Sequence, residues 1–207
     1  REDSLPLVST DWYGYTKVLG ENLVDRYVRK EKMPVTVIRF ANVWGAGEIL
    51  NWPQFYLKTF LANFESRTDD VGRATYEALK AEDDGTNKLI IACDENGRPW
   101  KKHNVEVRDL VHGFEAAFGK SATFGKTYQL AGPGPFTWDI AIPHLAEQLG
   151  LPHCRVNLAG TSTTFYEYDM SGARNDFGYN PQVGFEEAVR EAIAYRDGES
   201  DAVISRD

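Results

Sequence analysis

Tyr13 and Lys17 stand four residues apart in Tyr13-Gly14-Tyr15-Thr16-Lys17, a spacing that places both side chains on one face of a helix. A nearby ammonium favours phenolate over phenol. A tyrosine so placed can exchange a proton with a substrate hydroxyl or carbonyl while a cofactor exchanges hydride. The lysine can also hydrogen-bond a cofactor ribose. Tyr15 lies only two residues from Lys17 and is off that face. Tyr-x-x-x-Lys is also an ordinary surface-helix pattern, so its meaning depends on the elements around it.

Those elements read as alternating helices and strands. Ser9-Thr10-Asp11 supplies N-cap candidates for a helix running to about Lys32. Leu19, Leu23 and Tyr27 form one stripe along it, with Val24 and Val28 beside them. Met33-Pro34 ends the helix, because proline disfavours helical geometry before it and lacks an amide donor. Val35-Thr36-Val37-Ile38-Arg39-Phe40 is rich in β-branched residues and predicts a buried strand. A helix followed so closely by such a strand predicts an α/β layer arrangement.

Further along, helices are expected over about 52–64 and 69–81, then a turn at Asp83-Asp84-Gly85, a strand over 88–93 and a turn at 94–97. A short extended stretch at Val105–Val107 leads into a helix from roughly Arg108 to Phe118. Thr127–Leu130 reads as a strand closed by Gly132-Pro133-Gly134-Pro135. Thr137 is expected to cap a helix from Trp138 to Leu149, with Gly150 as its stop. Short helices over 171–177 and 185–195 complete the pattern.

Composition narrows the class of protein. The 207 residues are 42% hydrophobic and 26% charged, the balance of a soluble globular chain rather than a disordered or membrane protein. A formal charge of −8 argues against nucleic acid as the main partner. No apolar run is long enough to cross a bilayer, and Arg1-Glu2-Asp3-Ser4 lacks a secretory stretch, so a cytoplasmic location is the expectation. The chain begins with Arg1 and reads as something other than an intact, unprocessed translation product. Cys93 and Cys154 are too few for a disulfide-dense scaffold, and Cys93 falls in a buried strand pattern. The four histidines form no compact ligand motif, so no metal site is expected.

Taken together, Tyr13-Gly14-Tyr15-Thr16-Lys17-Val18-Leu19-Gly20-Glu21 and the later Pro34-Val35-Thr36-Val37-Ile38-Arg39-Phe40-Ala41-Asn42-Val43-Trp44-Gly45 resemble the extended short-chain dehydrogenase/reductase superfamily, in particular its NAD-dependent epimerase/dehydratase branch. There a catalytic helix carries Tyr-x-x-x-Lys and the next strand ends in Arg-x-x-Asn-Val-Tyr-Gly; Trp44 stands where the family has tyrosine. The resemblance implies Tyr13 as catalytic acid/base and Lys17 as its electrostatic and ribose-binding partner. Tyr13, Lys17, Phe40, Asn42 and Val43 become cofactor-binding residues, with NAD or NADP as the cofactor, near the carboxyl end of a strand.

Two later segments extend the resemblance. Val105-Glu106-Val107-Arg108-Asp109-Leu110-Val111 resembles the family's Val-His-Val-x-Asp-Leu-Val, with Glu106 for the common histidine, and Asp109 is expected to cap the following helix through its early amides. Asp169-Met170-Ser171-Gly172-Ala173-Arg174-Asn175-Asp176-Phe177-Gly178-Tyr179-Asn180-Pro181 resembles the family's Asp-x-Ser-Lys-Ala-Arg pattern, with Gly172 for lysine. The Gly-rich turn that receives a dinucleotide pyrophosphate does not occur in the sequence. Ser9 and Thr10 lie too near Tyr13 to be the family's upstream hydroxyl partner, and capping is their better account.

The implied fold is α/β: a partial Rossmann-type parallel sheet with a smaller mixed α/β substrate-binding region. Residues 1–47 hold the catalytic helix and strand, and 48–207 the substrate-binding region with Rossmann elements returning around 105–150. The implied substrate is a small molecule, a nucleotide sugar or a related hydroxyl or carbonyl compound. Asn42, Trp52, Lys101 and Lys102 are its binding candidates; many sugar-nucleotide enzymes place an arginine for diphosphate near these lysines, and lysine lacks that bidentate fork. A simple NAD(P)-dependent carbonyl reductase or alcohol dehydrogenase, and a noncatalytic structural fragment, stay open as alternatives. Helices of related proteins pair about a two-fold axis, which allows a homodimer without establishing one.

Overall fold

A computed structural model describes residues 9, 11–160 and 164–200. Thr10 and the opening Arg1-Glu2-Asp3-Ser4 lie outside the described residues. In chain order the elements are α1 (Trp12–Glu31), β1 (Val37–Phe40), β2 (Val43–Trp44), α2 (Ala46–Ile49), α3 (Leu57–Glu65), α4 (Asp70–Ala81), β3 (Leu89–Cys93), β4 (Lys101–Lys102), β5 (Val105–Glu106), α5 (Val107–Ala117), β6 (Thr127–Leu130), β7 (Phe136–Thr137), α6 (Trp138–Leu149), β8 (His153–Asn157), α7 (Ser171–Phe177) and α8 (Phe185–Arg196). The fold is α/β, with short parallel strand pairs, and the chain divides into two compact units.

The first unit comprises residues 1–43, 104–133 and 168–183. Its sheet pairs β1 in parallel with β6, from Val37 opposite Thr127 to Phe40 opposite Leu130. Parallel neighbours need a crossover, and α5 lies on the path between them. Its core gathers Val105 of β5, Leu110 of α5, Tyr128 and Leu130 of β6, and Met170, Phe177 and Tyr179 on and around α7. Gly113 lets α5 sit tightly here: a Cβ at that position would fall 2.6 Å from Leu130 Cδ1 and 2.9 Å from the Tyr179 ring. The Tyr179 hydroxyl donates to the Ala131 carbonyl at 2.8 Å, and the Tyr128 hydroxyl to Asp176 at 2.6 Å, so both buried phenols are satisfied. Burial pushes the Tyr179 phenol well above its ordinary range.

Several local expectations change in this unit. The strand begins at Val37 rather than Val35 and is half-buried, its last residue Phe40 being exposed. Leu19, Leu23 and Tyr27 lie on the exposed side of α1, while Val18, Val24 and Val28 are half-buried; no residue of α1 is fully buried. Asp109 does not cap α5. Glu106 occupies that position and accepts from the Arg108 amide at 2.8 Å. The Asp109 carboxylate instead accepts from the amides of Gln182 and Val183, at 2.9 Å and 2.8 Å, and so pins the chain after α7 to α5.

The second unit comprises residues 44–103, 134–167 and 184–207. Fully buried β3 pairs in parallel with β8, whose residues alternate exposed and buried. Cys93 and Cys154 sit on these strands as buried free thiols, and burial pushes Cys154 up to about 11. Antiparallel β4 and β7 form a second small ladder. The expected helix over 52–64 divides into a 3-10 turn, Pro53–Phe55, and α3. Thr137 precedes α6 without a side-chain cap bond, and Gly150 closes the helix in the left-handed region as expected. An aromatic cluster fills the core. Phe136 stacks on Trp44, Trp138 and Phe185, with Trp44 also edge-on to Trp52. Trp44 and Trp100 are thus core residues, at 3% and 6% exposure.

Candidate active site

The helix that carries Tyr13 and Lys17 starts from a well-defined cap. Asp11 accepts from the Gly14 amide at 2.8 Å, and the Ser9 hydroxyl donates to the other Asp11 oxygen at 2.8 Å. These bonds hold the Asp11 carboxyl below its usual range. Ser9 therefore belongs to the cap network. Gly14 permits it, since a Cβ there would lie 2.2 Å from Ser9 Oγ. At its other end the helix stops at Lys32, which adopts φ 56°. Basic Arg29 and Lys30 in the last turn complement the helix dipole.

One turn into this helix the Lys17 ammonium stands over the Tyr13 ring, 4.8 Å from its centroid. Tyr13 is 74% exposed and Lys17 is also exposed, so both polar ends are accessible within this unit. The helix is tied to β1 by a bidentate ion pair: Arg39 Nε and Nη2 meet Glu21 Oε1 and Oε2 at 2.8 Å and 2.7 Å. Beyond β1, Asn42 is exposed and its carbonyl accepts from the Val105 amide at 3.0 Å. Phe40, 51% exposed, meets Phe114 edge-on at 6.2 Å. Val43 is half-buried against the unit's core. This unit presents a phenol beside an ammonium on α1, able to exchange a proton, and exposed Phe40 and Asn42 at the end of β1.

The second unit holds Trp52, Lys101 and Lys102. Trp52 is half-buried, with its ring 6.0 Å from that of Trp44. The two lysines differ sharply. Lys101 donates to Glu167 Oε2 at 2.6 Å. Lys102 is 6% exposed, and its ammonium has no carboxylate among the described residues; it lies over the Tyr166 ring at 5.3 Å. Burial lowers its pKa from the ordinary lysine range. Sequence reasoning did not single out Tyr166, because nothing in local spacing links it to β4.

Residues 1–88 match the model of the NAD dependent epimerase/dehydratase family. Among solved structures the chain is similar to a short-chain dehydrogenase/reductase superfamily protein from Agrobacterium tumefaciens with bound NAD, at 28% identity and a TM-score of 0.82, covering 95% of this chain and 61% of that one. It has the fold of dTDP-glucose 4,6-dehydratase from Bacillus anthracis in complex with NAD, at 18% identity and a TM-score of 0.64, over 95% of this chain and 55% of the other. It likewise has the fold of UDP-glucuronic acid 4-epimerase from Bacillus cereus in complex with UDP-glucuronic acid and NAD, at 19% identity and 0.64, over 96% and 56%. The chain thus spans a little over half the length of these proteins. No curated protein sequence matches it.

Proposed function

We propose that this chain carries the proton-transfer half of an NAD(P)-dependent epimerase/dehydratase-type oxidoreductase acting on a nucleotide sugar or a related hydroxyl or carbonyl substrate. The observation that carries the reading is the Tyr13–Lys17 pair, held 4.8 Å apart on a capped helix inside the segment that matches the family. In this reading the first unit is the cofactor side and the second the substrate side.

The exposed residues of the first unit fit the nicotinamide end of a dinucleotide. Lys17 supplies a donor for a ribose hydroxyl, while Phe40, Asn42 and Val43 supply an apolar wall and an amide at the strand end. NAD or NADP, when bound, exchanges hydride with the substrate carbon. Tyr13 gives a proton to, or takes one from, the oxygen on that carbon, and the Lys17 charge favours the phenolate that results. On the second unit, Trp52 offers a ring face and Lys102 an ammonium for an anionic group, while Lys101 is engaged by Glu167; on the first unit, Asn42 offers an amide to a polar group.

The test is the Tyr13→Phe variant of the protein, with cofactor affinity measured by calorimetry and turnover measured on a panel of UDP- and dTDP-sugars. Cofactor affinity is expected to stay within about twofold, and turnover to fall by about a hundredfold or more, the contribution of a general acid/base. Unchanged turnover removes Tyr13 from the reaction.

A further inference from the structure

On the second unit the segment Thr164–Glu167 lies along β4, held by the Lys101 amide donating to the Thr164 carbonyl at 2.8 Å and the Tyr166 amide donating to the Lys101 carbonyl at 3.0 Å. Its three consecutive side chains meet three different cations. Phe165 faces the Arg98 guanidinium at 3.7 Å, Tyr166 faces Lys102 at 5.3 Å, and Glu167 pairs with Lys101 at 2.6 Å.

These contacts treat the two lysines in opposite ways. A carboxylate at ion-pair distance cancels the Lys101 charge locally, and Lys101 is left with little attraction for a further anion. An aromatic face attracts a cation through its quadrupole but carries no net charge. Lys102 is therefore held in place while its full positive charge remains uncompensated. Buried charges are ordinarily paired, because desolvation of an isolated ion is costly. A 6% exposed lysine whose described contact is a ring departs from that rule. Tyr166 itself is 50% exposed, so the ring is the outer wall of the arrangement.

We infer that Tyr166 is a positioning residue that holds the Lys102 ammonium for an anionic oxygen group of the substrate, with Glu167 withdrawing Lys101 from that role. The inference rests on reading the second unit as the substrate side. The group that Lys102 receives is a single carboxylate or phosphoryl oxygen set, since an ammonium acts as a point charge with three donors rather than a fork.

Calorimetric titration without nicotinamide dinucleotide, using UDP, D-glucuronate and inorganic phosphate as probes, tests it and separates a diphosphate from a carboxylate or free-phosphate ligand. At least one probe is expected to bind. Tyr166→Leu is expected to weaken that probe about three- to tenfold, the size of a cation–π contact, whereas Tyr166→Phe stays within about twofold. Tyr166→Glu, which supplies a cancelling carboxylate, is expected to abolish binding. On protein with 13C-labelled lysine, the ring-current shift of the Lys102 Cε protons should vanish in Tyr166→Leu and persist in Tyr166→Phe. Loss of that shift without loss of affinity, or a Phe variant as weak as the Leu variant, overturns the positioning role. If Lys102→Met loses binding while Tyr166→Leu does not, only the role of Tyr166 falls. If Lys102→Met binds normally, or no probe binds the unaltered protein, the substrate-side reading falls with it.

Discussion

The ammonium of Lys17 lies over the face of the Tyr13 ring, 4.8 Å from its centroid, with both side chains in solvent. A contact of this kind between exposed groups contributes little to folding, of order 0.5 kcal/mol. The contact keeps a cation within one helical turn of the phenol.

Lys17→Met is expected to leave unfolding free energy within about 0.5 kcal/mol of the parent. Turnover on the responsive substrate should fall by about a hundredfold, and nicotinamide dinucleotide affinity should weaken as a ribose donor is lost. Steady-state kinetics beside urea unfolding and calorimetry checks all three. A Lys17→Met protein with normal turnover would show that the ammonium is only a surface charge.

Asp109 and Glu106 share the start of α5 but do different work. Glu106 satisfies the Arg108 amide within its own helix. Asp109, buried at 5% exposure, satisfies two amides of a segment far along the chain. Asp109→Ala leaves those donors without their acceptor and is expected to cost about 3 kcal/mol. Glu106→Ala removes a helix cap and is expected to cost about 1 kcal/mol. Denaturant midpoints of the two variants test the order; equal losses would place Asp109 back in a purely local role.

What could be read in advance follows from whether the signal is local. The Asp11 cap of α1, the Gly150 stop of α6 and the β-branched run of β1 are written in neighbouring residues. The Tyr13–Lys17 proximity is likewise a matter of helical spacing. His153-Cys154-Arg155-Val156-Asn157 carries no clear strand signal, because its polar alternate residues hide two buried positions, Cys154 and Val156, that only pairing with β3 reveals. The lysines of β4 gave no strand signal for the same reason. Asp109 reads as a cap because its real acceptor role depends on residues brought near by the whole fold. Tyr166 over Lys102 is non-local in the same sense. The Leu19, Leu23 and Tyr27 stripe shows the converse: apolar spacing marks a face without saying that this chain covers it.

Gly113 sets the approach of α5 to the sheet. A methyl group there meets Leu130 Cδ1 at 2.6 Å and the Tyr179 ring at 2.9 Å, and both neighbours are buried. Helix propensity favours alanine over glycine by about 1 kcal/mol, but overpacking a close-packed core costs about 1–3 kcal/mol. Gly113→Ala is therefore expected to destabilise by about 1 kcal/mol net, while Gly20→Ala on exposed α1, where nothing lies within 4 Å, should stabilise. Thermal unfolding of the pair checks the sign at each site; a stabilised Gly113→Ala would show that α5 can move away from β6.

Lys102 links the second unit's stability to pH in a direction opposite to that of an ion-paired lysine. Burial lowers its folded pKa, and the described residues offer it no carboxylate to reverse that shift. Below the lowered folded value both states hold the proton, and the folded state bears the cost of a buried charge. Between that value and the ordinary lysine pKa of about 10.4, the unfolded chain holds more protons, so stability attributable to this group rises with pH. Above that range both states are neutral and the cost is gone. Lys102→Met is accordingly expected to be more stable than the parent at pH 7, by about 1 kcal/mol, and the advantage should shrink steadily as the pH is raised toward 10. Urea unfolding of both proteins between pH 7 and 10 measures the difference. A gap that stays constant across that interval would mean that Lys102 keeps an ordinary pKa in the folded protein.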